Sequence, residues 1–122
     1  MIFLTESRYT PQERKSMKVA ITSQNRKSVT QHAGKCRNYW LYTVEAGVVV
    51  NKELLELPMG QAFHDWPHGQ PHPIDGVDLY ITASVGQGLR NRLAQNGTHV
   101  VITEQTDLEL ALEEGLASLA AE

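Results

Sequence analysis

With 122 residues, 41% of them hydrophobic and 20% charged, the chain has the size of one compact domain and enough apolar content to bury a core. A formal net charge of −3 argues against a protein built to coat nucleic acid, which normally presents a basic face. The single cysteine, Cys36, excludes an internal disulfide and suits a reducing cytoplasm, and no apolar run reaches the roughly eighteen residues of a membrane span.

Residues 1–16 open on a short apolar stretch, MIFL, and then turn polar without periodicity, an order that does not match a signal peptide. They read as a flexible extension ahead of a domain spanning 17–122. A second reading makes Met17 the biological start, because the Glu-Arg-Lys stretch upstream would be encoded by purine-rich bases of the ribosome-binding kind. The mass of the native protein separates the two.

MKVAIT, residues 17–22, predicts a first strand with Val19 and Ile21 on one face. The polar loop SQNRKSVTQHAGKC follows. Strands over 38–44 and 48–53 flank Glu45-Ala46-Gly47, whose glycine supplies the positive φ of a tight hairpin. A histidine- and proline-rich segment separates them from a fourth strand, 78–82. That strand leads into a helix over about 85–95, with Leu89 and Leu93 inward and Asn96-Gly97 as its stop. A fifth strand, 99–103, precedes a last helix that starts on Thr106, with Glu109 three residues on as a capping box. Leu108, Ala111, Leu112, Leu116 and Leu119 share one face of it.

Strands four and five, each joined onward by a helix, imply parallel pairing, whereas two and three form an antiparallel hairpin. The sheet is therefore a mixed one of five strands. If the first strand runs parallel to the fourth and fifth, so does the third. The loops after strands one, three, four and five then leave one edge, where open α/β sheets usually place ligands.

Three stretches carry candidate chemistry. FHDWPHGQPHPIDG spaces His64, His68 and His72 by four, which on a helix would stack three imidazoles. Pro67, Gly69, Pro71 and Pro73 make it a loop instead. The loop either uses imidazole nitrogens on a metal or is a proline-stiffened connector whose His and Trp66 side chains pack locally. TQHAGKCRNYW combines His32, Gly34, Lys35, Cys36 and Arg37. Imidazole or thiolate there would donate to iron, while Lys35, Arg37 and backbone N–H groups balance an anionic cluster and favour the Cys36 thiolate. The rival reading buries Cys36 as a small apolar residue and leaves His32 merely exposed. ASVGQGLR places Gly86 and Gly88 at a strand-to-helix junction, either for close packing of the turn or for anion contact at a helix N-terminus. It lacks the further glycine of a dinucleotide fingerprint.

Enzyme signatures are missing: no Gly-x-Ser-x-Gly, no phosphate loop, no His-Glu-x-x-His, and no carboxylate on the first strand for a two-metal site.

From Met17 to about Ala120 the chain resembles the dinitrogenase iron-molybdenum cofactor biosynthesis family of small NifX-like carriers. The resemblance rests on MKVAITSQ, HAGKCRNYWLYTVEAG, GVDLYITASVGQGLRNRLAQNGTHVVIT and TDLELALEEGL. It implies a ribonuclease H-like α/β fold, a three-layer α/β/α arrangement around a five-stranded mixed sheet. It also implies a cytoplasmic, non-catalytic carrier that binds an iron-sulfur cluster, the nitrogenase iron-molybdenum cofactor or its precursor. Such carriers hand their cargo between nitrogenase cofactor assembly proteins or other metal-cluster proteins, with no nucleic acid or membrane involved.

Carried over, His32 is the main cluster-facing ligand, Cys36 a second, and Lys35 and Arg37 the charge partners. His64 and His68 can reach the same edge, with Gly34, Gly86 and Gly88 lining it, and His72 is the least involved. Many members have Phe where this chain has Ala33, and a full helix where Pro71 and Pro73 here leave room for at most a helical turn. Two rivals to the carrier stand: a module binding a single zinc, nickel or copper ion through the 64–72 loop, and a cofactor-free protein-interaction domain.

Overall fold

A computed structural model describes residues 16–67 and 69–120. The expected extension therefore lies outside the described residues except for Ser16, which begins the first strand, and so does His68. The described elements run β1 (Ser16–Thr22), β2 (Asn38–Glu45), β3 (Val48–Glu56), β4 (Leu79–Thr82), α1 (Gln87–Gln95), β5 (His99–Ile102) and α2 (Leu108–Ala120). Short 3-10 turns occupy Ala33–Lys35 and Phe63–Asp65.

The strands form one sheet in the order β3-β2-β1-β4-β5. β1 pairs antiparallel with β2 and parallel with β4, β4 is parallel to β5, and β3 is antiparallel to β2. The strand directions and the mixed five-stranded α/β sheet are those expected. β1 lies centrally, and alternate side chains therefore feed both faces. Val19 and Ile21 join Tyr42, Leu79 and Ile81 beneath Leu108, Ala111 and Leu112 of α2. Ala20, Tyr39 and Tyr80 face the other way and pack with Leu93 and Leu89 of α1, together with Ala33, Leu57 and Ile74. Among the described residues one helix thus covers each face. Within the α1-side core the Tyr39 and Tyr80 hydroxyls lie 2.9 Å apart and satisfy each other.

The β2–β3 hairpin turns on two residues, Ala46 (φ 53) and Gly47 (φ 81), the pair of positive φ values that matches the twist of the flanking strands. β3 runs on to Glu56 because Leu54 and Leu55 still pair with Trp40 and Tyr39. Between β3 and β4 the Phe63–Asp65 turn is the one helical piece among the described residues.

Two helix starts differ from expectation. α1 begins at Gln87 because Gly86 is extended (φ −79, ψ 163), which keeps Val85 out of the helix. α2 begins at Leu108, and its cap is Asp107, whose Oδ1 accepts the Leu110 N–H at 3.0 Å. The Thr106 capping box is absent. The Thr106 carbonyl is held by the Val29 N–H at 2.9 Å, and Glu109 turns instead toward Lys52, 3.6 Å away. Asp107→Ala is therefore expected to lose about 1 kcal/mol in urea denaturation. Thr106→Ala is expected to lose a small fraction of that, and equal losses would restore the capping box. No helix among the described residues is long and apolar enough to cross a membrane.

Candidate functional site

Because β1, β3, β4 and β5 point the same way, the loops that follow them share the carboxyl edge of the sheet. Buried hydroxyls join these loops from below. The Thr22 hydroxyl donates to the Thr30 carbonyl at 2.8 Å and lies 2.8 Å from Thr82 Oγ1. Thr82 Oγ1 in turn lies 3.2 Å from the Ser84 carbonyl. Strand β-propensity places threonine at both positions, and their hydroxyls tie the β1 and β4 loops where the ladder ends.

On this platform the His32 loop is clamped to the approach to α1. The His32 N–H donates to Ser84 Oγ at 2.8 Å, and the Ala33 N–H donates to the Ser84 carbonyl at 3.1 Å. His32 itself is left-handed (φ 61, ψ 59), a conformation a non-glycine residue adopts only when its surroundings hold it there. Its side chain is exposed. The following turn, Ala33–Lys35, neighbours the Phe63–Asp65 turn, so the His32 and His64 loops come together as expected, with His64 also exposed.

A cavity of about 800 Å³ runs between the 63–71 loop and α1. Gly34, His64, Gly86 and Gly88 line it, as do Phe63, Trp66, Asn91 and Arg92. A Cβ added at Gly34, Gly86 or Gly88 would meet nothing within 4 Å. Close packing therefore does not explain these glycines. They leave bare backbone facing open space. The first hydrogen bond of α1 runs from the Arg90 N–H to the Gly86 carbonyl, and Gly86 offers no side-chain cap. The N–H groups of Gln87, Gly88 and Leu89 thus end α1 without intrahelical partners, at the positive pole of the helix.

Cys36 requires a correction. It is 2% exposed, packs into the α1-side core, does not line the cavity, and donates its S–H to the Asn38 carbonyl at 3.0 Å. Burial pushes its thiol up, outweighing the nearby hydrogen bonds and Arg37, so the expected thiolate is not favoured. The neutral, core-facing thiol is not placed as a metal ligand. Arg37 is half-buried and spans to the end of β3, where its own carbonyl accepts the Leu57 N–H at 2.7 Å; Lys35 is exposed. Among the described residues no three His, Cys, Asp or Glu side chains are grouped to hold a metal ion.

The cavity's outer wall packs locally, as in the connector reading of the proline-rich loop. His72 is buried beneath it, stacked 3.9 Å from Phe63 and edge-on to Trp66. Its Nδ1 accepts the Ile74 N–H at 3.1 Å, which fixes the proton on Nε2, 2.8 Å from the Gln61 carbonyl. Both nitrogens are spent on structure in a buried ring, whereas the expectation sets His72 apart from the other histidines by its nearness to the start of β4. Arg92 and Asp75 pair at 2.9 Å, while Asn96 Nδ2 reaches Asp75 Oδ1 at 3.0 Å and Arg92 Nη2 reaches the Gln70 carbonyl at 2.7 Å. These bonds fasten the proline loop to α1. The only sequence signal for the pairing is the position of Arg92 beside Leu93, on the rim of the inward stripe of α1.

Residues 15–118 match the family model described as dinitrogenase iron-molybdenum cofactor. Among solved structures, a dinitrogenase candidate from Methanocaldococcus jannaschii aligns at 10% identity and a TM-score of 0.64, covering 85% of this chain and 91% of that one. A NifB candidate from Thermotoga, assigned to the DUF35 family, aligns at 22% identity and a TM-score of 0.57, covering 80% and 84%. Both likenesses are of fold. No curated protein matches the chain.

Proposed function

We propose, since this chain belongs to the dinitrogenase iron-molybdenum cofactor family, that it is a non-catalytic cytoplasmic carrier of an iron-sulfur cluster or of a nitrogenase-type cofactor or its precursor. The observation that carries this reading is the glycine-faced cavity at the carboxyl edge, where the His32 loop, the His64 loop and the uncapped start of α1 meet. An anionic cluster seated there would take an imidazole from His32, exposed on the adjoining loop though not among the residues that line the cavity, with the cavity-lining His64, and His68, as further donors. It would meet the N–H groups of α1 that lack intrahelical partners, with Lys35 exposed on the adjoining turn, while Arg37 spans instead to Leu57 at the end of β3. Few protein ligands suit transfer, because a closed four-ligand site releases its cargo slowly. Donors and acceptors of the cargo would be nitrogenase cofactor assembly proteins or other metal-cluster proteins. The strand order and the helix on each face also favour a ribonuclease H-like reading of the fold.

Anaerobic incubation with an iron-sulfur cluster or extracted cofactor, followed by gel filtration with iron and molybdenum analysis, tests the reading. Metal is expected to co-elute with the wild-type chain and to be lost in His32→Ala. Cys36→Ala is expected to keep its load, since that thiol faces the core. Folded protein that elutes without iron overturns the carrier. One zinc, nickel or copper ion bound without iron or sulfide, and lost in His64→Ala/His68→Ala but kept in His32→Ala, would establish the single-ion module instead.

A further inference from the structure

We infer that Ser84 is the positioning residue of the His32 loop, an inference that rests on the reading of His32 as a ligand. Ser84 meets the loop twice. Its Oγ accepts the His32 N–H at 2.8 Å and its carbonyl accepts the Ala33 N–H at 3.1 Å, while Thr82 Oγ1, itself within 2.8 Å of Thr22 Oγ1, lies 3.2 Å from the same carbonyl. These bonds bracket the residue whose backbone is left-handed.

A left-handed non-glycine residue is held at a cost of order 1–3 kcal/mol and reverts unless its neighbours over-determine it. On one side of His32, Ala33 is fully buried and anchors the loop. On the amino side Thr30 is held two residues away, its carbonyl accepting the Ala83 N–H at 3.2 Å, and the bond at His32 itself goes to the hydroxyl of Ser84. Removing that hydroxyl leaves the His32 N–H without its acceptor and lets φ relax to negative values. The imidazole would then move with the relaxed backbone of its loop. Ser84 also stands two residues before Gly86, the N-cap of α1. The histidine loop and the start of α1 are therefore fixed to one another at Ser84, through its side chain at His32 and its carbonyl at Ala33, beside the Ala83 N–H bond to the Thr30 carbonyl at 3.2 Å. Supporting groups of this kind typically change metal affinity 10–100-fold without touching the metal.

Ser84→Ala and Ser84→Thr test this in the full chain, with Thr retaining the hydroxyl. Hydrogen exchange read by NMR is expected to accelerate about tenfold at the His32 amide in Ser84→Ala, as befits loss of one hydrogen bond. The Ala33 amide, bonded to the Ser84 backbone, should change far less, and Thr should restore protection at His32. Affinity for a cluster assembled anaerobically from ferrous iron and sulfide is expected to fall about tenfold in Ser84→Ala and to recover in Ser84→Thr. Unchanged His32 protection in a folded Ser84→Ala protein overturns the inference. So does wild-type cluster affinity in that variant while His32→Ala loses the cluster. If the wild-type chain binds no cluster, the carrier reading fails, and the exchange at His32 alone decides whether Ser84 sets the loop.

Discussion

Replacing His72 with alanine is expected to lower stability by about 3 kcal/mol, the combined cost of an emptied aromatic-sized site and an orphaned buried N–H. His72 is only 4% exposed and holds three parts of the 61–75 loop at once. It accepts from the Ile74 N–H, its Nε2 meets the Gln61 carbonyl, and its ring fills the space between Phe63 and Trp66. His72→Phe separates these contributions, because it keeps the ring stack and discards both hydrogen bonds. It should recover part of the loss and leave the remainder in the two unsatisfied backbone groups. A loss below about 1 kcal/mol for the alanine variant in urea denaturation would mean that the loop closes without its histidine.

The same residue makes the loop acid-sensitive. A proton on Nδ1 abolishes the acceptor of the Ile74 N–H, and burial holds the His72 pKa below its ordinary 6.5, outweighing the Gln61 carbonyl and the Asp75 carboxylate, with the Arg92 cation adding to the depression. The unfolded chain therefore binds this proton more readily than the folded one. Stability is independent of His72 above about pH 6.5 and declines as pH falls below it, until the folded pKa is passed. Asp75 contributes a second, lower step. Burial opposes its charge, but the Arg92 hydrogen bond wins and holds its carboxyl below the usual 3.8, so its stabilisation is lost as pH falls beneath that value. The His72→Phe protein should lack the upper step and keep the lower one. A pH profile of the thermal midpoint identical to wild type would refute the assignment.

Gly115→Val is expected to destabilise by a similar amount, about 3 kcal/mol, for the opposite reason: too much matter rather than too little. Gly115 faces the sheet from α2, and a Cβ there would stand 2.5 Å from Ile81 Cδ1 and 3.1 Å from both Ile81 Cγ1 and Leu79 Cδ2. Ile81 and Leu79 are fully buried, so neither has free volume to swing into. Gly115→Ala should show the smaller clash, offset by the roughly 1 kcal/mol that alanine gains over glycine inside a helix. A double-mutant cycle isolates the contact. In an Ile81→Val background, which removes the nearest atom, Gly115→Ala should become stabilising. Additive effects of the two changes would show that the close approach of α2 to β4 does not set the cost.

The sequence by itself determined the elements whose physics is local or periodic. Apolar alternation placed β1, Ala46-Gly47 placed the hairpin turn, Asn96-Gly97 placed the end of α1, and the order of strands and helices made β4 and β5 parallel and β2 and β3 antiparallel, with the direction of β1 decided by its pairing with β4. Once β1 is parallel to β4, the His32 loop, the His64 loop and Gly86–Gly88 fall on one edge, since loop direction follows from strand direction. Tertiary structure decided what each side chain does there. Asp107 replaced Thr106 as the cap because Val29 claims the Thr106 carbonyl from across the fold. Cys36 went to the core as a neutral thiol because burial is set by the α1-side packing, which no neighbouring lysine or arginine in the chain reveals. His72 became a structural pin, and Ser84 a clamp, through partners at most 11 residues away in one case and 52 in the other. A hydrogen bond depends on position in space, and pattern along the chain reports position only where the chain is regular.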